Sequence, residues 1–140
     1  MKRIFLRLSV LLVAPILFGG LNAWLNPDGP PWSVEALAEG EVNFAVLNSW
    51  ERSVLWVDAR EPDQFEQDHI PQALNLSLSH FDEQIGLFLE QWVPGVPVVV
   101  YCGSRHCGMS KELANRLRND FAMDEIYVLK GGWDAWLEHK

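Results

Sequence analysis

The amino-acid sequence predicts an α/β domain with a parallel sheet covered by helices on both faces. Short apolar runs alternate with stretches of helical periodicity along most of the chain. Elements of these lengths in this alternation are typical of parallel sheets with helices on each face. The chain has 140 residues, 49% of them hydrophobic, with seven Trp and seven Phe, which is enough to form the core of one domain.

The first half of the predicted domain contains two strands and two helices. Residues 54–57 form an apolar strand that ends at Asp58, and residues 74–76 predict a minimal strand. Residues 62–67 suit a short helix because proline is favoured at the first helical position. The next helix has five apolar residues at the spacing of one amphipathic face: Phe81, Ile85, Phe88, Leu89 and Trp92.

The second half adds strands at 96–101 and 126–129. Met109, Leu113 and Leu117 mark a helix face between these strands, and residues 132–137 predict a closing helix. In parallel sheets the ligand site lies at the carboxyl ends of the strands, where Asp58 and Cys102 both fall.

The N-terminal residues predict a membrane anchor. Residues 8–25 carry no charge and as a helix would measure roughly 27 Å, enough to cross the hydrocarbon core of a bilayer. A cleavable signal peptide would need a small residue where Leu21 stands, so we expect residues 1–25 to be an uncleaved transmembrane signal-anchor. A cleaved signal peptide and a buried core helix remain alternatives.

Charge predicts the membrane topology, and proline and glycine content predicts the domain boundaries. Three basic residues, Lys2, Arg3 and Arg7, precede the uncharged stretch, so the positive-inside tendency places the domain on the extracytoplasmic side, the periplasm in a bacterium. Residues 26–32, rich in proline and glycine, read as a linker, and residues 33–140 as the globular domain.

The composition of the globular domain excludes several partners. Residues 33–140 carry 8 basic and 18 acidic side chains, a net charge that repels nucleic acid, so no nucleic-acid partner is expected. The two cysteines are too few for a disulfide scaffold. With no neighbouring His/Cys pair they also make a poor zinc site, so no metal is expected.

Cys102 is the candidate nucleophile. It follows the predicted strand 96–101, and a short glycine-containing loop connects it to a helix. The positive end of a helix dipole stabilises a thiolate, so this placement favours sulfur chemistry. The alternative is that Cys102 is a small residue of the hydrophobic core.

Five ordered segments of the sequence resemble one known family. They are Val57-Asp58-Ala59-Arg60-Glu61-Pro62; Phe65 with His69-Ile70-Pro71; Ala73-Leu74-Asn75-Leu76; Val100-Tyr101-Cys102; and Gly131-Gly132-Trp133 with Trp136. Together they resemble a single rhodanese (thiosulfate sulfurtransferase-like) domain over about residues 42–138. The resemblance implies a parallel sheet of about five strands flanked by helices and a sulfurtransferase that carries sulfur as a persulfide on Cys102.

The resemblance also implies a site and its ligands. The Cys102 thiolate would take the outer sulfur of a small sulfur-containing anion such as thiosulfate and pass it to cyanide or a thiol. Backbone N–H groups of the loop would hold the anion without a cofactor. The expected substrate-binding residues are Arg60 and the loop residues Gly103, Ser104, Arg105, His106, Cys107, Gly108 and Met109. Arg105 and His106 would add positive charge, or else be solvated loop side chains.

The sequence departs from the family pattern in the loop. Ser110, the match to the helix-opening serine, stands eight residues after Cys102, so the loop is expected to be about two residues longer than usual. Phosphatases and arsenate reductases of this fold have an arginine six residues after the cysteine. That position is Gly108, which disfavours oxyanion clamping of that kind. Asp68 and Gln72 also stand where the family usually has glycine.

Two other functions stay open. One is a catalytically silent rhodanese-like module that binds a partner. The other is a thiol redox protein that uses Cys102 and Cys107, although four residues separate them and thioredoxin-like sites have two. Cys107 either approaches Cys102 closely enough for a disulfide or packs inward as an apolar anchor.

Overall fold

A five-stranded parallel sheet forms the centre of the described part of the chain. The computed structural model describes residues 36–104 and 108–140. The sheet order is β1-β5-β4-β2-β3 and every neighbouring pair is parallel. The strands are β1 (Glu41–Val42), β2 (Leu55–Asp58), β3 (Leu74–Asn75), β4 (Val98–Tyr101) and β5 (Ile126–Leu129).

Helices cover both faces of the sheet. The described helices are α1 (Phe44–Asn48), α2 (Pro62–Gln67), α3 (Phe81–Gln91), α4 (Met109–Phe121) and α5 (Gly132–His139). Residues of α3 and α4 belong to one apolar cluster, and residues of α1, α2 and α5 pack on the other. The α/β class and the flanking of the sheet on both sides are therefore confirmed.

Strand β4 shows how the sheet separates the two clusters. Val98 and Val100 lie in the cluster with α3 and α4, whereas Val99 and Tyr101 lie in the opposite one. This alternation follows from the two-residue period of a strand, and all four residues are buried because both faces are covered. Cys102 continues the alternation and joins Val98 and Val100.

Most of the predicted strands and helices appear within two residues of their expected bounds. The prediction for one side chain is wrong. Leu89 does not belong to the buried face of α3, since it is 37% exposed while Phe81 and Phe88 are buried. At 3.6 residues per turn Leu89 lies roughly 80° around the helix from Phe81, at the margin of the apolar face. The short elements β1 and α1 were not predicted.

No helix within residues 36–104 and 108–140 is long and apolar enough to span a membrane. The predicted signal-anchor over residues 1–25 and the linker over residues 26–32 lie outside the described residues.

Candidate active site

The site lies where the neighbouring strands β2 and β4 end together. Asp58 at the end of β2 is in register with Tyr101 at the end of β4, and the Ala59 N–H donates to the Tyr101 carbonyl at 2.8 Å. The next residue after Tyr101 is Cys102, which is 2% exposed. The two residues that the sequence singled out at strand ends, Asp58 and Cys102, therefore share one edge of the sheet.

The N-terminus of α5 packs directly on the backbone of Cys102. The Trp133 N–H donates to the Cys102 carbonyl at 2.7 Å. Gly132 has φ +54°, and a Cβ built on it would collide with the same carbonyl oxygen and lie 3.1 Å from its carbon. Glycine is required here for both conformation and space. The Gly131-Gly132-Trp133 segment thus fixes the position of Cys102.

A buried ion pair lies at the end of β2. Arg60 Nη2 donates to Asp58 Oδ2 at 2.6 Å and to the Asp68 carbonyl at 2.7 Å, and Arg60 Nε bonds both Asp58 carboxylate oxygens. The guanidinium lies 4.5 Å from the Trp133 ring centroid. Burial opposes the charge of Arg60, but hydrogen bonds and charge from Asp58 outweigh it, and the pKa of Arg60 is raised.

This ion pair reaches the start of the loop. A Cβ built on Gly103 would lie 4.0 Å from Arg60 Cδ, so the arginine stem packs beside the residue after Cys102. The Asn75 amide donates to the Asp58 and Arg60 carbonyls at 3.1 and 2.9 Å, which ties β3 to the same edge. Arg60 therefore holds the strand ends together; its role in substrate binding stays a prediction.

Tyr101 lies on the opposite side of β4 from Cys102. Its hydroxyl accepts a hydrogen bond from the Ile70 N–H at 3.1 Å. Burial raises the pKa of Tyr101 well above its ordinary value, and the Ile70 hydrogen bond only partly opposes this effect. The phenol therefore remains neutral at physiological pH and serves as a structural contact.

The sulfur of Cys102 has a hydroxyl neighbour and is oxidised. Cys102 is disulfide-bonded in this structure; the sequence has one other cysteine, Cys107, which lies outside the described residues. Ser110 Oγ lies 3.4 Å from Cys102 Sγ. Because a disulfide sulfur carries no hydrogen, the Ser110 hydroxyl is the donor. The Ser104 carbonyl, 3.9 Å from Sγ, can accept a hydrogen bond only from the reduced, protonated thiol.

The predicted loop residues are only partly described. Gly103 is half-buried and Ser104 exposed, while Gly108 is the N-cap of α4 and Met109 its first residue. Arg105, His106 and Cys107 lie outside the described residues. Sequence reasoning did not predict the contact of Ser110 with the sulfur. The sequence did contain a signal for this contact: Ser110 is a polar residue at the helical spacing of Leu113 and Leu117, and these three residues share the buried face of α4.

The described residues offer no metal centre. Within residues 36–104 and 108–140, no group of three or more His, Cys, Asp or Glu side chains could hold a metal ion. The groups gathered at this edge of the sheet are the Cys102 sulfur and the Ser110 hydroxyl, in the first turn of α4.

Comparison with known proteins gives the family. Residues 45–139 match the rhodanese-like domain. The chain belongs to the rhodanese-like family. A thiosulfate sulfurtransferase GlpE from Coxiella burnetii is 31% identical over 97 residues, covering 66% of this chain and 84% of that protein. The GlpE of Shewanella oneidensis is 33% identical over 97 residues, covering 69% and 89%.

Solved structures support the rhodanese-like fold. The rhodanese-like domain of Anabaena sp. has a TM-score of 0.58 at 20% identity, covering 73% of this chain and 76% of that one. A rhodanese-related protein from Thermoplasma volcanium has a TM-score of 0.55 at 20% identity, covering 71% and 91%. At these identities the likeness concerns the fold alone.

Proposed function

We propose that this rhodanese-like protein is a sulfurtransferase that carries sulfane sulfur as a persulfide on Cys102. The observation that carries the proposal is the placement of Cys102 at the end of β4, with its sulfur within hydrogen-bonding distance of a hydroxyl in the first turn of α4. The relatives named thiosulfate sulfurtransferase support the same reaction class. The proposed donor is a thiosulfate-like anion, and the acceptor is cyanide or a thiol.

The reaction has two displacement steps. In the first, the Cys102 thiolate attacks the outer sulfur of thiosulfate. The S–S bond of thiosulfate breaks, sulfite leaves with the electron pair, and Cys102 becomes a persulfide anion. In the second, cyanide attacks the outer sulfur, the persulfide bond breaks, and the electron pair returns to Cys102 as thiolate while thiocyanate leaves. Neither step needs a redox cofactor, because sulfur moves between nucleophiles.

The disulfide at Cys102 sets a condition on this cycle. A disulfide sulfur is not a thiolate, so a reductant must first cleave the bond. We therefore expect protein purified without reductant to be inactive and to gain activity after reduction by a phosphine and desalting.

A cyanide assay on single variants tests the proposal. Reduced wild-type protein with thiosulfate and cyanide should form thiocyanate, and Cys102→Ser should form none while keeping the fold. Cys107→Ser is the matched control because it also removes one loop thiol, and it should keep at least partial activity. Turnover by Cys102→Ser, or loss of turnover only in Cys107→Ser, would overturn the assignment of Cys102. Absence of turnover in reduced wild type would favour the silent binding module.

Thiol–disulfide exchange is the second candidate function, and one observation favours it: Cys102 is disulfide-bonded. In this function Cys102 and Cys107 would act as a dithiol pair that reduces or oxidises a partner protein. A measured reduction potential separates the two. A value in the range of about −270 to −120 mV, where thiol oxidoreductases lie, together with no thiocyanate formation, would replace the sulfurtransferase proposal.

Arg105 is proposed to attract the anionic donor. A side-chain charge beside the nucleophile acts on a charged reagent more than on a neutral one, and salt screens the effect. Arg105→Ala should therefore slow reaction with thiosulfate more than reaction with a neutral alkylating agent, with a smaller difference at high salt. Equal slowing of both reagents would mean that the substitution disturbed the loop backbone instead.

We also propose that residues 1–25 anchor the protein in a membrane with its domain outside the cytoplasm. Support comes from the uncharged stretch at residues 8–25 and the basic residues that precede it. In a bacterial host, protease added to spheroplasts should digest the domain. Protection from the protease would overturn the topology, and a mature N-terminus near Trp24 would overturn the uncleaved anchor.

A further inference from the structure

Ser110 is buried in the first turn of a helix. It is the second residue of α4 and only 3% exposed, on the face that also buries Leu113 and Leu117. A buried hydroxyl needs a hydrogen-bond partner. Within the described part of the chain, the hydroxyl has one partner, the Cys102 sulfur at 3.4 Å.

The direction of this contact matches the chemistry of a leaving thiolate. In the disulfide form the Ser110 hydroxyl donates to a neutral sulfur. When a bond to that sulfur is cleaved, the sulfur gains the electron pair and becomes an anion, and hydrogen bonds to charged acceptors are stronger than those to neutral ones. The hydroxyl is thus already oriented towards the atom on which negative charge develops.

We infer that Ser110 is a catalytic residue of the sulfur transfer, whose hydroxyl stabilises the Cys102 thiolate and speeds its departure from the persulfide. The inference rests on the proposed function. In the second displacement the acceptor forms a bond to the outer sulfur, the persulfide bond breaks, and the Cys102 sulfur takes the electron pair while accepting the Ser110 hydrogen bond. The serine proton stays on its oxygen throughout.

This role predicts opposite effects on the two displacements. A hydrogen bond that stabilises the thiolate makes it a better leaving group and a weaker nucleophile. Without the hydroxyl, the ionised thiolate should therefore attack thiosulfate no more slowly than in wild type, and at most about threefold faster for a one-unit change in basicity. Discharge of the persulfide to cyanide should slow several-fold. A change that only loosened the site would slow both steps.

The first measurement is the pH dependence of alkylation by iodoacetamide. Phosphine-reduced full-length protein with Cys107→Ser serves as the background, so that Cys102 is the sole cysteine. Ser110→Ala should move the midpoint of the rate profile up by about one pH unit, and Ser110→Thr, which keeps the hydroxyl, should restore it. Ser77→Ala is the matched control, since Ser77 is equally buried but its hydroxyl contacts Ser79 and His80.

The second measurement follows sulfur uptake from thiosulfate and persulfide discharge to cyanide separately. The pH is set above the alkylation midpoints of both the background protein and its Ser110→Ala variant. Slower discharge with unimpaired sulfur uptake in Ser110→Ala supports the inference. An unchanged alkylation midpoint, or equal slowing of uptake and discharge, overturns it. Failure of the proposed function is distinguishable, because a wild-type protein that takes up no sulfur from thiosulfate still reports the Ser110 contact through the alkylation midpoint.

Discussion

Gly132 approaches the backbone of Cys102 so closely that Gly132→Ala should both destabilise the fold and displace the nucleophile. The backbone has φ +54°, and in this left-handed region a side chain costs about 1–2 kcal/mol. The added Cβ collides with the Cys102 carbonyl oxygen, and the backbone shift that relieves such overpacking costs about 1–3 kcal/mol more. Weakening the Trp133-to-Cys102 hydrogen bond adds about 1 kcal/mol.

The expected loss of unfolding free energy is therefore about 3–6 kcal/mol. Gly95→Ala is the matched control, because Gly95 has φ +86° but an added Cβ there meets no atom within 4 Å. It should cost about 1–2 kcal/mol, the conformational cost alone. Urea unfolding gives both values, and the sulfurtransferase assay should show a larger activity loss for Gly132→Ala. Equal destabilisation of the two variants would refute the close approach of Gly132 to Cys102.

Three further predictions concern the surroundings of the site. Arg60→Met should cost about 3–5 kcal/mol in urea unfolding, because it leaves the fully buried Asp58 carboxylate unpaired, and adding Asp58→Asn should recover much of the loss; a cost below about 1 kcal/mol would contradict the buried pair. Tyr101 stays protonated in the folded state while the unfolded chain loses this proton near pH 10, so stability should fall by about 1.4 kcal/mol per pH unit above that pH. Tyr101→Phe should remove this contribution, and an unchanged alkaline slope would count against it. Gln72 has φ +67°, so Gln72→Gly should raise the free energy of unfolding of the protein by about 0.5–1 kcal/mol, measured by urea unfolding. A lower free energy of unfolding would show that the Gln72 side chain contributes more than its backbone conformation costs.

The elements that sequence reasoning located share strong local signals. Helix α2 begins at Pro62 as predicted, and β5 spans the predicted apolar run. Strand β1 has two residues and exists through its pairing with β5, Glu41 with Val128 and Val42 with Leu129. A two-residue element has no periodicity to detect, and its partner lies more than 80 residues away in the sequence. Such an element is specified by tertiary pairing.

The same distinction applies to the site. Cys102 and Arg60 could be proposed as site residues from the sequence because each stands in a recognisable segment at the end of an apolar run. The contacts that position them are long-range: Trp133 bonds the Cys102 carbonyl, and Ser110 reaches its sulfur across the loop. Periodicity placed Ser110 in a helix, but only the three-dimensional fold places its hydroxyl beside the sulfur. Gln72 was visible in part from the sequence. It stands where the family usually has glycine, and the structure shows that its backbone has a positive φ, the conformation that favours glycine.

The central claim is that Cys102 carries the transferred sulfur, and mass spectrometry of the reduced protein after thiosulfate treatment tests it most directly. The wild-type protein should gain one sulfur atom, and peptide fragmentation should place it on Cys102. Treatment with cyanide should remove it, and Cys102→Ser should gain none. No mass gain in the wild type, or a sulfur atom found on Cys107 instead, would contradict the account.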